Sequence, residues 1–139
     1  MSLELETEIP FEGTPSGPLK GIRVLDLTTI LLGPIATQIL GDMGADVIKI
    51  EAPKGDPMRQ IGPPPANGMG AMFLGMNRNK RGVVLDLKLP KAMETLYHLT
   101  ADADIFVHNM RPQAAQRLGI DYSTLKAMNP NIIYCGTYG

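Results

Sequence analysis

The feature that most constrains this chain is the regular alternation of short apolar runs with segments of helical period. Five runs are rich in β-branched and apolar residues, which is typical of buried strands. They span residues 21–27, 46–50, 82–87, 103–107 and 131–135. Helices are predicted between them, over 34–43, 90–99, 112–118 and 122–128. This order predicts an α/β fold in which helices cover a mostly parallel sheet.

Proline and glycine residues between these runs divide the chain further. Pro34 suits the first turn of a helix, in which Ile35, Ile39, Leu40 and Met43 recur with a helical period. Residues 1–18 carry acidic, proline and glycine residues without a hydrophobic period, and we expect a flexible tail there. Residues 19–139 then form the domain, with a long proline- and glycine-rich loop over 52–75.

Bulk properties exclude several classes of protein. The net charge of −1 gives no basic footprint for nucleic acid. No apolar run approaches the roughly 20 residues that cross a bilayer, so no membrane span is expected. The amino terminus lacks the pattern of a secretory signal, and one cysteine cannot build a disulfide framework. We therefore expect a cytoplasmic protein.

In an open α/β sheet, ligands bind beyond the carboxyl ends of the strands, and two of these ends bear on the ligand class. The turn after the first run contains Gly33 but no G-x-G-x-x-G, and Pro34 has no N–H to offer an anion. It suits a pantetheine arm or an adenine face, or it is merely a buried loop. Glu51 ends the second run, where it would bind the ribose of a nicotinamide dinucleotide or cap a loop.

Other polar residues leave their roles open. Arg59 is a candidate clamp for a ligand carboxylate or phosphate, and the cations of 77–81 form either a solvated face or a polyphosphate contact. His108 ends the fourth run, where it is a candidate polar contact in the cleft. His98 has no partner at metal spacing, so no metal site is expected. Cys135 is predicted to be a small buried apolar residue.

Taken as an ordered set, these motifs resemble the N-terminal part of the class III CoA-transferases, the CaiB/BaiF type. The resemblance runs from about Pro18 to Gly139. It rests on residues 18–28, 33–34, 44–51, 55–56, Arg59, 77–81, 85–88, 103–107, 109–112, 117–119 and 129–130. The family includes formyl-CoA, carnitine and bile-acid CoA-transferases and the related α-methylacyl-CoA racemases.

The resemblance implies a Rossmann-like N-terminal domain that binds CoA and forms an incomplete part of a larger, interlocked homodimer. It implies that Ile30, Leu31, Leu85, Lys88, Asn109, Met110 and Arg117 contact CoA. Ala52 and Pro53 stand where family members often place an arginine, for which Lys54 would substitute. Met110 stands where an aromatic residue is common.

The resemblance also implies a reaction between acyl-CoA and a small carboxylic acid through an aspartyl-CoA intermediate. None of the aspartates, among them Asp26, Asp86 and Asp121, matches the motif of that nucleophile. We therefore expect the isolated chain to be inactive. The family fold also implies that the isolated chain exposes apolar surface, which further polypeptide would cover. A racemase of the same family, a nicotinamide-binding Rossmann enzyme and a non-catalytic CoA-binding module remain alternatives.

Overall fold

The fold is a single sheet of five parallel strands, seen in a computed structural model that describes residues 16–63 and 68–138. The strands lie side by side in the order β3-β2-β1-β4-β5. Their bounds are β1 Arg23–Leu27, β2 Asp46–Glu51, β3 Lys80–Val84, β4 Ile105–His108 and β5 Ile133–Gly136. The helices are α1 Leu32–Asp42, α2 Ala71–Asn77, α3 Pro90–Ala101, α4 Pro112–Leu118 and α5 Tyr122–Met128. The α/β class and the parallel sheet that the sequence predicts are confirmed.

Helices cover both faces of the sheet, as predicted. On one face, Leu25, Ile48 and Phe106 pack with residues of α3, α4 and α5 in the larger core cluster. On the other face, Val24 and Val47 form a smaller cluster against which Leu40 of α1 packs. Alternate side chains of a strand point to opposite faces, so β1, β2 and β4 each contribute to both clusters.

The described residues between β2 and β3 contain more secondary structure than predicted. A short 3-10 helix spans Pro57–Gln60, and α2 begins within the segment predicted as loop. Phe73 and Met76 are buried, so packing compensates for the nearby glycines. β3 covers Lys80–Val84 instead of 82–87, because Lys80 pairs with Val47 at the start of the β2 ladder.

The side chains that give α1 its helical period mostly lie on its outer side. Ile35, Ile39 and Met43 are exposed, and of the four only Leu40 packs on the core. The buried face of α1 carries Gly33, Pro34, Thr37 and Gln38. The prediction that Cys135 is buried is wrong: it is exposed, because β5 is an edge strand with only β4 beside it.

Parts of two predicted segments lie outside the described residues. Residues 1–15 of the predicted tail are among them, as are residues 64–67 of the predicted proline- and glycine-rich loop. Leu19, which begins the predicted domain, donates its N–H to the carbonyl of Met43, so the chain is joined to the end of α1 at this point. None of the described helices is long and apolar enough to cross a membrane.

Candidate functional site

Side chains from three elements hold the turn that follows β1. Asn109, directly after β4, clamps Thr29: the Thr29 N–H donates to Asn109 Oδ1 at 3.2 Å, and Asn109 Nδ2 donates to the Thr29 carbonyl at 2.9 Å. Lys49 of β2 donates its ammonium to the Thr28 carbonyl at 2.8 Å. The Ile30 N–H donates to the Asp56 carboxylate, 3.3 Å from Oδ1. The main chain of three consecutive residues is thus fixed at the carboxyl edge.

Ile30 itself has an unusual backbone conformation. Its φ is +75°, in the left-handed region, where a β-branched side chain is a genuine outlier. Asn79 is the other described residue besides glycine with positive φ, and asparagine tolerates it. The Ile30 side chain is 48% exposed and that of Leu31 is 41% exposed. The turn therefore presents apolar side chains to solvent at the edge where ligands of such sheets bind.

A buried carboxylate, Asp26, lies under this turn. It is fully buried in the middle of β1. Its Oδ2 accepts hydrogen bonds from Thr37 Oγ1 at 2.6 Å and Lys80 Nζ at 2.9 Å, and its Oδ1 accepts the Thr28 N–H at 2.9 Å. Burial lowers the pKa of Lys80, and the nearby Asp26 carboxylate opposes that shift. The pair joins β1 to β3 across β2.

Two further ion pairs continue this network. Lys49 Nζ lies 3.1 Å from Asp56 Oδ2, with both side chains almost completely buried. Arg59 binds Glu51 through two bonds, with Nη2 2.6 Å from Oε1 and Nε 2.8 Å from Oε2. Burial opposes ionisation of Glu51, but its bonds from Arg59 and from the Asp56 N–H outweigh burial and lower its pKa. Arg59 also stacks on Phe73, 3.7 Å from the ring centroid.

These pairs settle two questions that the sequence left open. Glu51 caps the following loop, because its carboxylate is only 4% exposed and is occupied by Arg59 and the Asp56 N–H. Arg59 does bind a carboxylate, but it is that of Glu51 in the same chain and not that of a ligand. This use of Glu51 is opposed to the ribose contact of a nicotinamide site.

The cations of 77–81 are all paired within the chain. Arg78 Nη2 lies 2.6 Å from Asp42, Lys80 Nζ 2.9 Å from Asp26, and Arg81 Nη2 2.7 Å from Asp46. Arg78 and Arg81 are exposed, whereas the Lys80 side chain is 2% exposed. The segment is thus neither a purely solvated face nor a free polyphosphate site.

A cleft of about 260 Å³ lies between α2 and the sheet. Four cationic side chains and one carboxylate contribute to its wall. The lining residues are Lys49, Glu51, Arg59, Met69, Phe73, Leu74, Asn77, Arg78, Lys80 and Gly82. Because each of these cations has a carboxylate partner, the cleft lies beside a balanced network of charges.

The structure places the sequence-predicted contact residues beyond the ends of three strands or on the helix after β4. Ile30 and Leu31 follow β1, and Asn109 is bonded to the same turn through Thr29. Leu85 and Met110 are half-buried against the larger core cluster. Lys88 and Arg117 are exposed, the first after β3 and the second on α4. Among these predicted contact residues, hydrogen bonds of the described chain connect only Asn109 to the β1 turn.

His108 ends β4 beside this edge and is 1% exposed. Its Nδ1 accepts the Met110 N–H at 3.2 Å, which leaves the proton of the neutral ring on Nε2. Nε2 is buried without a hydrogen-bond partner among the described residues. Burial lowers the pKa of this imidazole. Tyr134 packs against the ring, with centroids 5.0 Å apart.

Sequence reasoning missed the buried network of Asp26, Lys49, Lys80 and Asp56. A signal was present, because Asp26 and Lys49 interrupt runs that otherwise read as strands buried on both faces. Charged residues are almost never fully buried unless they are paired, so each of these two predicts a partner. Which residue is the partner could be seen only in the folded structure, since Asp26 and Lys80 lie 54 positions apart in the sequence.

Comparison with known proteins places these features in context. The model of the family described as CoA-transferase family III matches residues 19–139. A succinyl-CoA:glutarate CoA-transferase of Mus musculus is 43% identical over 123 residues, which are 88% of this chain and 28% of that protein. A succinate–glutarate CoA-transferase of Agrobacterium fabrum is 43% identical over 129 residues, covering 88% of this chain and 32% of its own length.

Solved structures agree with the sequence relatives. A CaiB/BaiF family protein from Brucella suis superposes with a TM-score of 0.82 at 40% identity, covering 86% of this chain and 33% of its own. Rv3272 from Mycobacterium tuberculosis gives a TM-score of 0.82 at 40% identity, with coverages of 90% and 34%. The chain therefore spans about a third of the length of the relatives it matches.

Proposed function

Because the chain belongs to CoA-transferase family III, we propose that it supplies the CoA-binding part of an enzyme that transfers CoA from an acyl-CoA to a small carboxylic acid. Two of the relatives above, those of Mus musculus and Agrobacterium fabrum, are named for succinyl-CoA or succinate and for glutarate. They are about three times as long as this chain. The complete reaction thus needs further polypeptide, and a dicarboxylate is the substrate class we propose.

The observation that carries this proposal is the turn after β1. It presents Ile30 and Leu31, two exposed apolar side chains, next to main chain fixed by Asn109 and Asp56. A pantetheine arm combines methylene groups with amides, so it suits apolar side chains beside ordered main chain. Lys88 follows β3 and Arg117 lies on α4, and both are exposed cations of the kind that suits the phosphates of the nucleotide end.

The nucleophile of the proposed reaction lies outside this chain. Asp26 and Asp56 are the buried aspartates near the turn, and both carboxylates are engaged by hydrogen bonds and a lysine. A carboxylate that attacks an acyl-CoA must have a free oxygen that reaches the carbonyl carbon. We therefore propose that an aspartate contributed by other chain forms the aspartyl-CoA intermediate. Alone, this chain binds CoA without turnover.

The proposed enzyme is a homodimer whose further chain covers the outer face of α1. That face carries Leu32, 80% exposed, and Ile39, 51% exposed, with Ile35 and Met43 on the same side of the helix. A contiguous apolar stripe of this kind marks an interface. The matched residues are only 28% of the Mus musculus relative, so a protein of that length has further polypeptide that could cover this face.

Calorimetry with two ligands tests the proposal. CoA and NAD are titrated in parallel into the purified chain, and heat of binding is expected for CoA alone. The Glu51–Arg59 pair is the reason, because it occupies the carboxylate that a nicotinamide ribose would need. Binding of NAD in preference to CoA would contradict the proposal. A CoA-transfer assay with succinyl-CoA and glutarate is run on the same preparation, and turnover would contradict the assignment of the nucleophile.

A further inference from the structure

The strain at Ile30 is offset only in part by burial of this residue. A β-branched residue has a conformational penalty at φ +75°. Ile30 is 48% exposed, so packing within the described chain is incomplete at this position. Strained residues persist only where their surroundings hold them in place, and such residues cluster at functional sites.

The surroundings that hold Ile30 are hydrogen bonds to its neighbours and its own N–H. Asp56 accepts the Ile30 N–H, and it is itself fixed by the Lys49 ammonium and the Met58 N–H. The Asn109 side chain makes two hydrogen bonds, both with the main chain of Thr29. Each group therefore acts on the main chain next to, or at, the strained residue.

The two groups reach the turn from separate parts of the sheet. Asp56 follows β2, whereas Asn109 follows β4, and β1 lies between these two strands. The turn is thus held from both sides. Loss of either support removes one of the restraints on the left-handed conformation of Ile30.

We propose that Asn109 and Asp56 are positioning residues that hold the 28–31 turn in its strained form, and that this form is the one that binds CoA. This inference rests on the proposed function. Asn109 acts through the turn, so its contribution to affinity depends on the strain at Ile30. A residue that touched the ligand directly would contribute independently of that strain.

A double-mutant cycle separates these two roles. Asn109→Ala removes both hydrogen bonds to Thr29. Ile30→Gly removes the penalty of positive φ, because glycine adopts that region freely. The two single variants and the double variant are titrated with CoA by calorimetry. Asn129→Ala is the matched control, since Asn129 also fixes main-chain carbonyls, those of Thr100 and Ala103, but away from the turn.

The expected result is a coupled loss of affinity. Asn109→Ala weakens CoA binding about tenfold in the unmodified background, because the turn relaxes and the binding-competent fraction falls in proportion. In the Ile30→Gly background the same change weakens binding less than about threefold, because the left-handed turn needs no restraint there. Asn129→Ala lowers the thermal midpoint and leaves the CoA Kd unchanged.

The outcomes are distinguishable from failure of the proposed function. An unmodified chain that does not bind CoA refutes the proposed function and this inference with it. If the unmodified chain binds CoA and Asn109→Ala has the same effect in both backgrounds, Asn109 contacts the ligand directly and only this inference fails. An Asn109→Ala variant with unchanged affinity also overturns it.

Discussion

Replacing Lys80 with methionine tests whether the buried network is held together by charge. The Lys80 ammonium is 2% exposed and donates to Asp26 Oδ2, the Pro34 carbonyl and Asn77 Oδ1, each within 2.9 Å. Methionine fills similar space but leaves the fully buried Asp26 carboxylate without a cation. Breaking a buried pair in this way costs about 3–5 kcal/mol. That is a large share of the roughly 5–15 kcal/mol by which domains are stable.

The assay is urea unfolding followed by far-UV circular dichroism, which suits a chain without tryptophan. The matched control is Arg78→Met, in the same segment, whose ion pair with Asp42 is 60% and 29% exposed. An exposed pair of this kind contributes about 0–1 kcal/mol. If Lys80→Met lowers the free energy of unfolding no more than Arg78→Met does, the buried pair has no special role and the reasoning fails.

A double variant keeps the test decisive if Lys80→Met does not fold. Asp26→Asn combined with Lys80→Met removes both charges, so no uncompensated carboxylate remains in the core. We expect the double variant to be more stable than Lys80→Met alone by about 1.5 kcal/mol or more, as coupled neighbours in such networks are. A double variant that is less stable than Lys80→Met alone would contradict an ionic origin of the effect.

Three further predictions follow from local geometry. Burial lowers the pKa of His108 from 6.5, so below that pH the unfolded chain binds more protons than the folded chain and the free energy of unfolding falls. In urea unfolding at pH 7.5 and 5.5, His108→Gln is expected to lose less stability between the two pH values than the unmodified chain. An equal loss in both proteins would contradict this. A Cβ on Gly33 would lie 2.4 Å from that of Thr28, so Gly33→Ala should lower the free energy of unfolding by about 1–3 kcal/mol, whereas Gly75→Ala, with open space around it, should raise it by about 0.5–1 kcal/mol; equal effects in urea unfolding would refute this. Ile39→Glu should reduce self-association of the isolated chain in sedimentation velocity, and unchanged sedimentation would argue against an interface on α1.

The class of the fold could be predicted because strands and short helices carry local signals. Pro112 and Tyr122 begin α4 and α5 where the sequence indicates, since the bounding residues Pro112, Gly119 and Asp121 act locally. The helix α2 could not be predicted, because its stability comes from the burial of Phe73 and Met76 among glycines. Local propensity does not report that packing.

The candidate site was predictable only in part. Its location at the carboxyl edge follows from the strand pattern, which places Ile30 and Asn109 after neighbouring strands. The clamp between Asn109 and Thr29 joins residues 80 positions apart, so no local pattern encodes it. The outward position of the apolar stripe of α1 could not be predicted for a related reason: periodicity shows that one face is apolar, but not which neighbour covers it.

The strand order also sets the sequence of events while the chain is being translated. β1 can pair with β2 soon after residue 51 leaves the ribosome, but its other edge waits for β4, which begins at Ile105. At roughly 5–20 residues per second, that edge stays open for several seconds. During this interval the nascent sheet exposes a strand rich in valine and leucine. We therefore expect the nascent chain to be most prone to aggregation before residue 108 emerges.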